Sequence, residues 1–134
     1  MARVPPTADD GPADAAISYA ASEDLRAVRA FVTARALRLG LSADRVDLLI
    51  LAVSELATNT LQHTTGGGRV RVWAGEGKVI CDVVDHGPVP ALGRAMPAAD
   101  AVRGRGLAIV QRICDLVDAF PVPGGAVVRI GLNL

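Results

Sequence analysis

The segment from Ser42 to His63 is apolar almost all the way round a helix, yet it carries a polar pair one turn apart, Glu55 and Asn59. At roughly 100° per residue, Val46, Leu49, Ile50, Val53, Ala57 and Leu61 form one stripe. Leu48, Leu51 and Ala52 cover the opposite side, so the first half of this helix is expected to be buried on both faces. Glu55 and Asn59, spaced i and i+4, continue that second face. A carboxylate and an amide on a buried face are costly unless something pairs with them. Two such oxygens stacked one turn apart could hold a metal ion and polarise a nucleophile. The alternative is that the helix surfaces in its C-terminal half and both residues meet water.

The chain of 134 residues is one domain, long enough for a real core. Its 14 basic and 14 acidic side chains leave a formal net charge of +0, which argues against nucleic acid as a partner. Few aromatics are available as base-stacking platforms. No apolar run approaches the ~20 residues of a membrane span, and no basic segment followed by an apolar stretch marks a signal peptide. Cys81 and Cys114 are too few and too isolated for a disulfide framework or a zinc site, and read as small buried hydrophobes. A reducing cytoplasm is the simplest setting.

Residues 1–15 mix Pro, Gly and Asp without period and read as a flexible tail, leaving 16–134 as the folded unit. Ile17 to Ala20 reads as a short edge strand. Ser22 is expected to cap a first helix, with Glu23 and Asp24 in its first turn. That helix places Leu25, Val28, Phe31, Val32, Ala36 and Leu39 on one face, and Gly40 ends it. Ser42 caps the second. Period two then takes over: Val70, Val72 and Ala74 alternate with Arg69, Arg71 and Trp73, and Gly75-Glu76-Gly77 turns the chain into a strand from Lys78 to Asp85. After an irregular segment, Gly104 is expected to open a third helix through Leu107, Val110, Ile113, Cys114 and Val117. Phe120 to Val122 and Ala126 to Leu134 supply two more strands. The expected fold is α+β, a two-layer α/β sandwich with helices on one face of a mixed, mostly antiparallel sheet.

In the strand from Lys78 to Asp85, Val79, Cys81, Val83 and Asp85 share one face. Asp85 thus ends an inward apolar row where the sheet meets a loop, and can accept hydrogen bonds from an amine-bearing ligand at the rim of an apolar slot. Gly87 removes a side chain that would block a flat ring. A turn-initiating Asp-His-Gly with no ligand is the bland reading of the same residues. Gly104-Arg105-Gly106-Leu107 allows backbone N–H groups to approach an anion near a helix N-terminus, although a plain loop-to-helix junction has the same composition. The connection from Pro88 to Arg103 is longer than ~12–15 residues, the length at which loops are usually functional.

The order of these elements carries more than any one of them. A helix with Glu55 and Asn59, a strand ending Asp85-x-Gly87, a long connection and then Gly104-x-Gly106-Leu107 resembles the histidine-kinase-type ATPase superfamily and its Bergerat-type ATP-binding fold. Within it, Ser54-Glu55-Leu56-Ala57-Thr58-Asn59-Thr60-Leu61-Gln62-His63 is similar to the helix motif of the bacterial anti-sigma factor / serine-protein kinase group. The likeness spans Ile17 to Leu134. It implies ATP and Mg²⁺ as cofactors, with Asn59 as the Mg²⁺ ligand and Glu55 as general base toward an attacking hydroxyl. It implies that Asp85 accepts the adenine amino group beside Gly87, and that Gly104, Arg105, Gly106 and Leu107 wrap the phosphates. Arg94, Arg103 and Arg105 are candidates for the γ-phosphate, of which one at most is expected to serve. His63 follows Asn59 by one turn and reads as structural or partly exposed. Two departures stand out: Val89 follows Pro88 where some branches carry a second glycine, and Ala126 stands where the family often has a threonine near the adenine.

The function implied by the resemblance is an ATP-binding anti-sigma regulator that phosphorylates a serine of an anti-anti-sigma antagonist. Its partners would be a sigma factor, that antagonist, or both, with room for a homodimer. A nucleotide-binding interaction module without catalysis, and a kinase-type domain acting on another regulatory protein, are the alternatives. The presence of Glu55 favours catalysis, because a binding-only site needs no base.

Overall fold

The computed structural model describes residues 15–64, 66–90 and 101–134, and the side chains of these except 101–106. Of the stretch expected to be a tail, residues 1–14 lie outside the described residues and Ala15 is buried; the middle of the long connection, with Arg94, also lies outside them. The chain runs β1 (Ala16–Tyr19), α1 (Leu25–Arg38), α2 (Ala43–His63), β2 (Gly68–Gly75), β3 (Lys78–Asp85), α3 (Ala101–Ile113), β4 (Leu116–Val122) and β5 (Gly125–Asn133). The five strands form one sheet in the order β1-β2-β3-β5-β4, antiparallel at each pairing. The α+β sandwich is as expected, except that no parallel pair occurs among the described strands.

Local chemistry sets the helix ends. Ser22 does not cap α1. It opens a 3₁₀ turn over Ser22–Asp24, and the Asp24 carboxylate reaches back to the amides of Ala20 and Ala21 at 2.8 and 3.0 Å. These two bonds hold the Asp24 carboxyl below the usual range. At the far end of α1, Gly40 has φ 101°; its N–H donates to Leu37 O and that of Leu41 to Ala36 O, both at 3.0 Å. This is a Schellman ending, which favours glycine because a side chain is strained at that φ. Leu41 then tucks into the core at 3 % exposure. Ser42 caps α2 as expected, its hydroxyl accepting from the Arg45 amide at 3.4 Å.

The core lies between the three helices and one face of the sheet. Val28, Val32 and Ala36 of α1 and Leu49, Val53 and Leu56 of α2 meet Val70, Val72, Val79, Cys81, Val83, Val128, Ile130 and Leu132. The inward alternation of β3 is as read from the sequence. The α2 stripe is rotated from the expected one. Ala52, Leu56 and Thr60 are buried with Val46, Leu49, Val53 and Ala57, whereas Leu51 is 45 % exposed. The first half of α2 is therefore not buried on both faces, because α1 and α3 flank it and no described element crosses its outer side.

Two further boundaries differ. α3 begins at Ala101, so Gly104 and Gly106 lie within its early turns and do not open it. It ends at Ile113, and Val117 belongs to β4. The last helical bond runs from Cys114 N–H to Val110 O; the next amide, Asp115, donates to Gly131 O at 2.9 Å and hands the chain to the sheet.

The second face of the sheet holds an ion cluster. Asp82, fully buried, accepts from Arg129 Nε at 2.7 Å and from Arg129 Nη2 and Arg71 Nη2 at 2.8 Å each. The Arg129 guanidinium lies 5.1 Å from the Trp73 ring and 5.2 Å from that of Phe120, within cation–π range. Removing one charge from a buried, hydrogen-bonded group leaves the others uncompensated, which typically costs about 3–5 kcal/mol. Asp82→Asn should therefore lower the unfolding free energy by about that amount in a urea titration. A loss below about 1 kcal/mol would mean that the arginines are solvated and the cluster is not a buried one.

Candidate functional site

Asp85 stands at the last position of β3, opposite Ala126 of β5. Its side chain is held by two donors from the other layer and the loop beyond. Thr60 of α2 places its hydroxyl 3.1 Å from Asp85 Oδ2, and the Gly87 amide donates to Oδ1 at 2.9 Å. The second bond is an Asx turn, so the turn chemistry and a ligand-facing carboxylate are the same feature. Thr60 Oγ1 also lies 3.1 Å from Leu56 O. One hydroxyl proton serves one acceptor at a time, and the carboxylate, an acceptor only when ionised, is the stronger claim. Each carboxylate oxygen keeps a second lone pair for an incoming donor.

Gly87 is required here by a neighbour. A Cβ at this position would come within 2.5 Å of Thr64 Cγ2. Thr64 ends α2, its amide and its hydroxyl both donating to Thr60 O, at 3.0 and 2.7 Å. The end of α2 and the Asp85 turn are thus packed as one piece.

Asn59, Asp85 and Leu107 are brought together around a small cavity of about 20 Å³, closed by Leu56, Thr60 and Pro90 among others. Its walls are mostly apolar. A polar end at Asp85 and an amide at Asn59 give it the pattern of a ligand site, but the volume is far below the ≈ 300–1,000 Å³ usual for one. A larger cleft of about 520 Å³ opens toward β1 on the other side of Asp85, lined by Ser18, Arg69 and His86 among others. The smaller cavity is the better candidate, because Asn59 and Leu107 line it.

Glu55 is half-buried one turn before Asn59 and does not line this cavity. Gly104, Arg105 and Gly106 belong to the same helix as Leu107, which is buried against the core. The side chains of Arg103 and Arg105 lie outside the described ones. His63 is exposed at the end of α2. Sequence reasoning missed Thr60 and Thr64. The available signal was Thr60 itself, which continues the series Val53, Leu56 at helical spacing as a hydroxyl on the core stripe.

The donor set fits a nucleotide with its metal. Asp85 offers acceptors to an exocyclic amine, the walls offer apolar contact to ring faces, and Asn59 offers a hard oxygen of the kind Mg²⁺ takes beside phosphate and water. Among the described residues no group of three or more His, Cys, Asp or Glu could hold a metal on its own.

The profile of the histidine kinase-like ATPase domain family matches residues 19–132. The chain belongs to that family. Among curated proteins, none matches it significantly. The family is one of ATP-binding domains, and the two-layer α+β sandwich accords with it. No helix among the described residues is long and apolar enough to cross a membrane.

Burial pushes Cys81 well above its ordinary range and Cys114 up to about 12, so neither is a thiolate at neutral pH. Tyr19, 3 % exposed, has its hydroxyl in the same region as Thr60 and Asp85, without a hydrogen-bond partner of good geometry. Burial, with a smaller contribution from the Asp85 charge, raises its phenol from 10.0 to about 12. A folded value above the unfolded one means that the folded state holds the proton more tightly. The associated stability, about 2–3 kcal/mol at 1.36 kcal/mol per pKa unit, is present below pH 10 and lost as pH rises toward 12. Tyr19 is the sole tyrosine, so ultraviolet titration of phenolate absorbance should give a single step near 12. A step near 10 would place the ring in water.

Proposed function

We propose that this domain binds ATP with Mg²⁺ in the cavity between α2, β3 and α3 and transfers the γ-phosphoryl group to a serine of a protein antagonist, in the manner of an anti-sigma factor kinase. The observation that carries the reading is the pre-set Asp85 carboxylate, held by Thr60 and Gly87 and facing the cavity that Asn59 also lines. The helix motif Ser54-Glu55-Leu56-Ala57-Thr58-Asn59 supports the narrower, anti-sigma part through its resemblance to that group. The domain would act inside the cell on a sigma factor, its antagonist, or both.

Each residue would have a separate task. Asp85 accepts the adenine amine, and the Thr60 hydroxyl keeps its carboxylate oriented. Asn59 gives its side-chain oxygen to the metal, which neutralises phosphate charge when bound. Glu55, one turn or about 6 Å back along α2, takes the proton from the attacking serine hydroxyl. The early turns of α3, with Gly104, Arg105 and Gly106, offer backbone N–H groups to the phosphates. Ala126 leaves the position opposite Asp85 without a hydroxyl, so adenine recognition rests chiefly on Asp85.

Three substitutions separate these roles. Asp85→Asn should weaken ATP by ~1.5–3 kcal/mol, the scale of a hydrogen bond to a charged group, or about ten- to hundredfold in Kd; unchanged affinity by titration calorimetry would remove Asp85 from the pocket. Asn59→Ala should reduce Mg²⁺-dependent binding and transfer together, and Mg-ATP affinity equal to the parent's would refute the ligand assignment. Glu55→Gln should keep ATP affinity within a few fold while lowering phosphate transfer by ~10²–10⁴. Radiolabel transfer from γ-labelled ATP to a cognate antagonist reads this last effect. Equal transfer by parent and variant would sink the base. No transfer by the parent with a verified partner would favour the binding-module alternative.

A further inference from the structure

Tyr19 is the last residue of β1, and its ring belongs to the core beneath the helices, 3 % exposed. Gly68 of β2 stands opposite it in the register. A Cβ on Gly68 would come within 2.5 Å of the Tyr19 hydroxyl oxygen and 2.7 Å of Cζ, so the phenol fills the space a side chain would need. Gly67, at φ 68°, is closed in by the same residue, since a Cβ there would run into the Tyr19 carbonyl oxygen. Two glycines thus seat Tyr19, backbone and ring alike, on the end of β2. The seat brings the phenol beside Thr60 and within reach of the Asp85 charge. Its oxygen is buried there without a hydrogen-bond partner of good geometry. A buried polar atom left so is costly, and each one in a native fold asks for an explanation.

The protons around Thr60 decide what the phenol does. Thr60 Oγ1 lies 3.1 Å from Asp85 Oδ2 and 3.1 Å from Leu56 O, and the Tyr19 hydroxyl is beside it. The ionised carboxylate and the carbonyl only accept, so the protons to be shared are those of Tyr19 and Thr60. Burial holds the phenol up at about 12, and Tyr19 is therefore a donor at neutral pH. One arrangement uses both protons and turns no lone pair toward the carboxylate: Tyr19 donates to Thr60 Oγ1, and Thr60 donates to Asp85 Oδ2. Were Thr60 to give its proton to Leu56 O, which the α2 ladder already occupies, a lone pair would face Asp85 Oδ2 at 3.1 Å. Hydroxyls joined in such a chain polarise one another and strengthen the last bond.

We propose that Tyr19 is a positioning residue for Asp85: its phenol donates to Thr60 Oγ1, commits the Thr60 proton to the carboxylate, and so fixes the oxygen that a ligand's exocyclic amine meets. The inference rests on the reading of Asp85 as the acceptor of that amine. Tyr19 acts through Thr60 and touches no nucleotide itself, because it lines the wider cleft and not the cavity of Asn59. Its influence is accordingly confined to ligands that use Asp85. A nucleotide without the amine draws nothing from a well-oriented carboxylate, whereas one with the amine loses affinity when the carboxylate has first to be ordered.

Tyr19→Phe keeps the ring over Gly68 and removes a single oxygen. Titration calorimetry should show ATP binding weakened about three- to tenfold, the scale of one hydrogen bond. Binding of purine riboside triphosphate, which lacks the amine, should stay as in the parent. On a Thr60→Val background the same substitution should change neither affinity. A loss shared equally by both nucleotides, an ATP affinity equal to the parent's, or an undiminished effect without the Thr60 hydroxyl would each overturn the proposal. The protein without nucleotide gives a separate reading. Tyr19 is the sole tyrosine, and proton NMR should show its slowly exchanging hydroxyl proton joined to that of Thr60 by a nuclear Overhauser effect. Absence of that effect overturns the proposal whatever the chain binds. A parent that binds neither nucleotide but shows the effect sinks the reading of the site, and still supports the chain from Tyr19 through Thr60 to Asp85.

Discussion

The 3.1 Å contact between Thr60 and Asp85 joins the two layers of the sandwich at the end of β3. Without it, Asp85 is a turn residue at the end of a strand. With it, and with the Gly87 amide on the other oxygen, a carboxylate at the rim of an apolar core is fixed before any ligand arrives. Groups already oriented spare a ligand the entropy of ordering them. The same contact sets where α2 stops: Thr64 bonds back to Thr60 and packs on Gly87, so helix end, strand end and turn share one arrangement.

The remaining architecture holds this junction in place from both sides. On the helical side, α1, α2 and α3 bury the inward rows of β2, β3 and β5. Their positions follow from a Schellman ending at Gly40 and a serine cap at Ser42. On the other side, the Asp82 cluster spans β2, β3 and β5 through Arg71 and Arg129. A buried ion cluster is weak support for stability, but it penalises any register that leaves one of its members unpaired. β3, the strand ending in Asp85, sits at the centre of the sheet, with its Asp82 in that cluster.

Much of this was legible in the sequence where periodicity and local chemistry agree. The alternation of Val79, Cys81 and Val83 placed Asp85 on the inner face, Ser42 and Gly40 marked helix ends, and the order of motifs indicated the superfamily. Where the two compete, the reading failed. Glycine costs a helix about 1 kcal/mol relative to alanine, so Gly104 looked like a start, yet Leu107 and Val110, both buried, draw the preceding residues into α3. Val117 fits a helical and a strand period alike, and the bond from Asp115 to Gly131 decided for the sheet. Arg71 and Trp73 alternate with valines as solvent-facing residues do, and nothing local announces that Asp82 and Arg129 meet them on that face. Thr60 sits next to Asn59, and its partner is twenty-five positions away in sequence.

The central claim is that nucleotide occupies the cavity shared by Asn59, Asp85 and Leu107. Amide chemical-shift mapping during titration with Mg-ATP tests it most directly, because it reads every backbone N–H in the unaltered chain. The account predicts saturable shifts that centre on Asn59, Thr60, Asp85, Gly87 and Leu107. Shifts confined to Ser18, Arg69 and His86, around the cleft toward β1, or no saturable shifts at all, would contradict it.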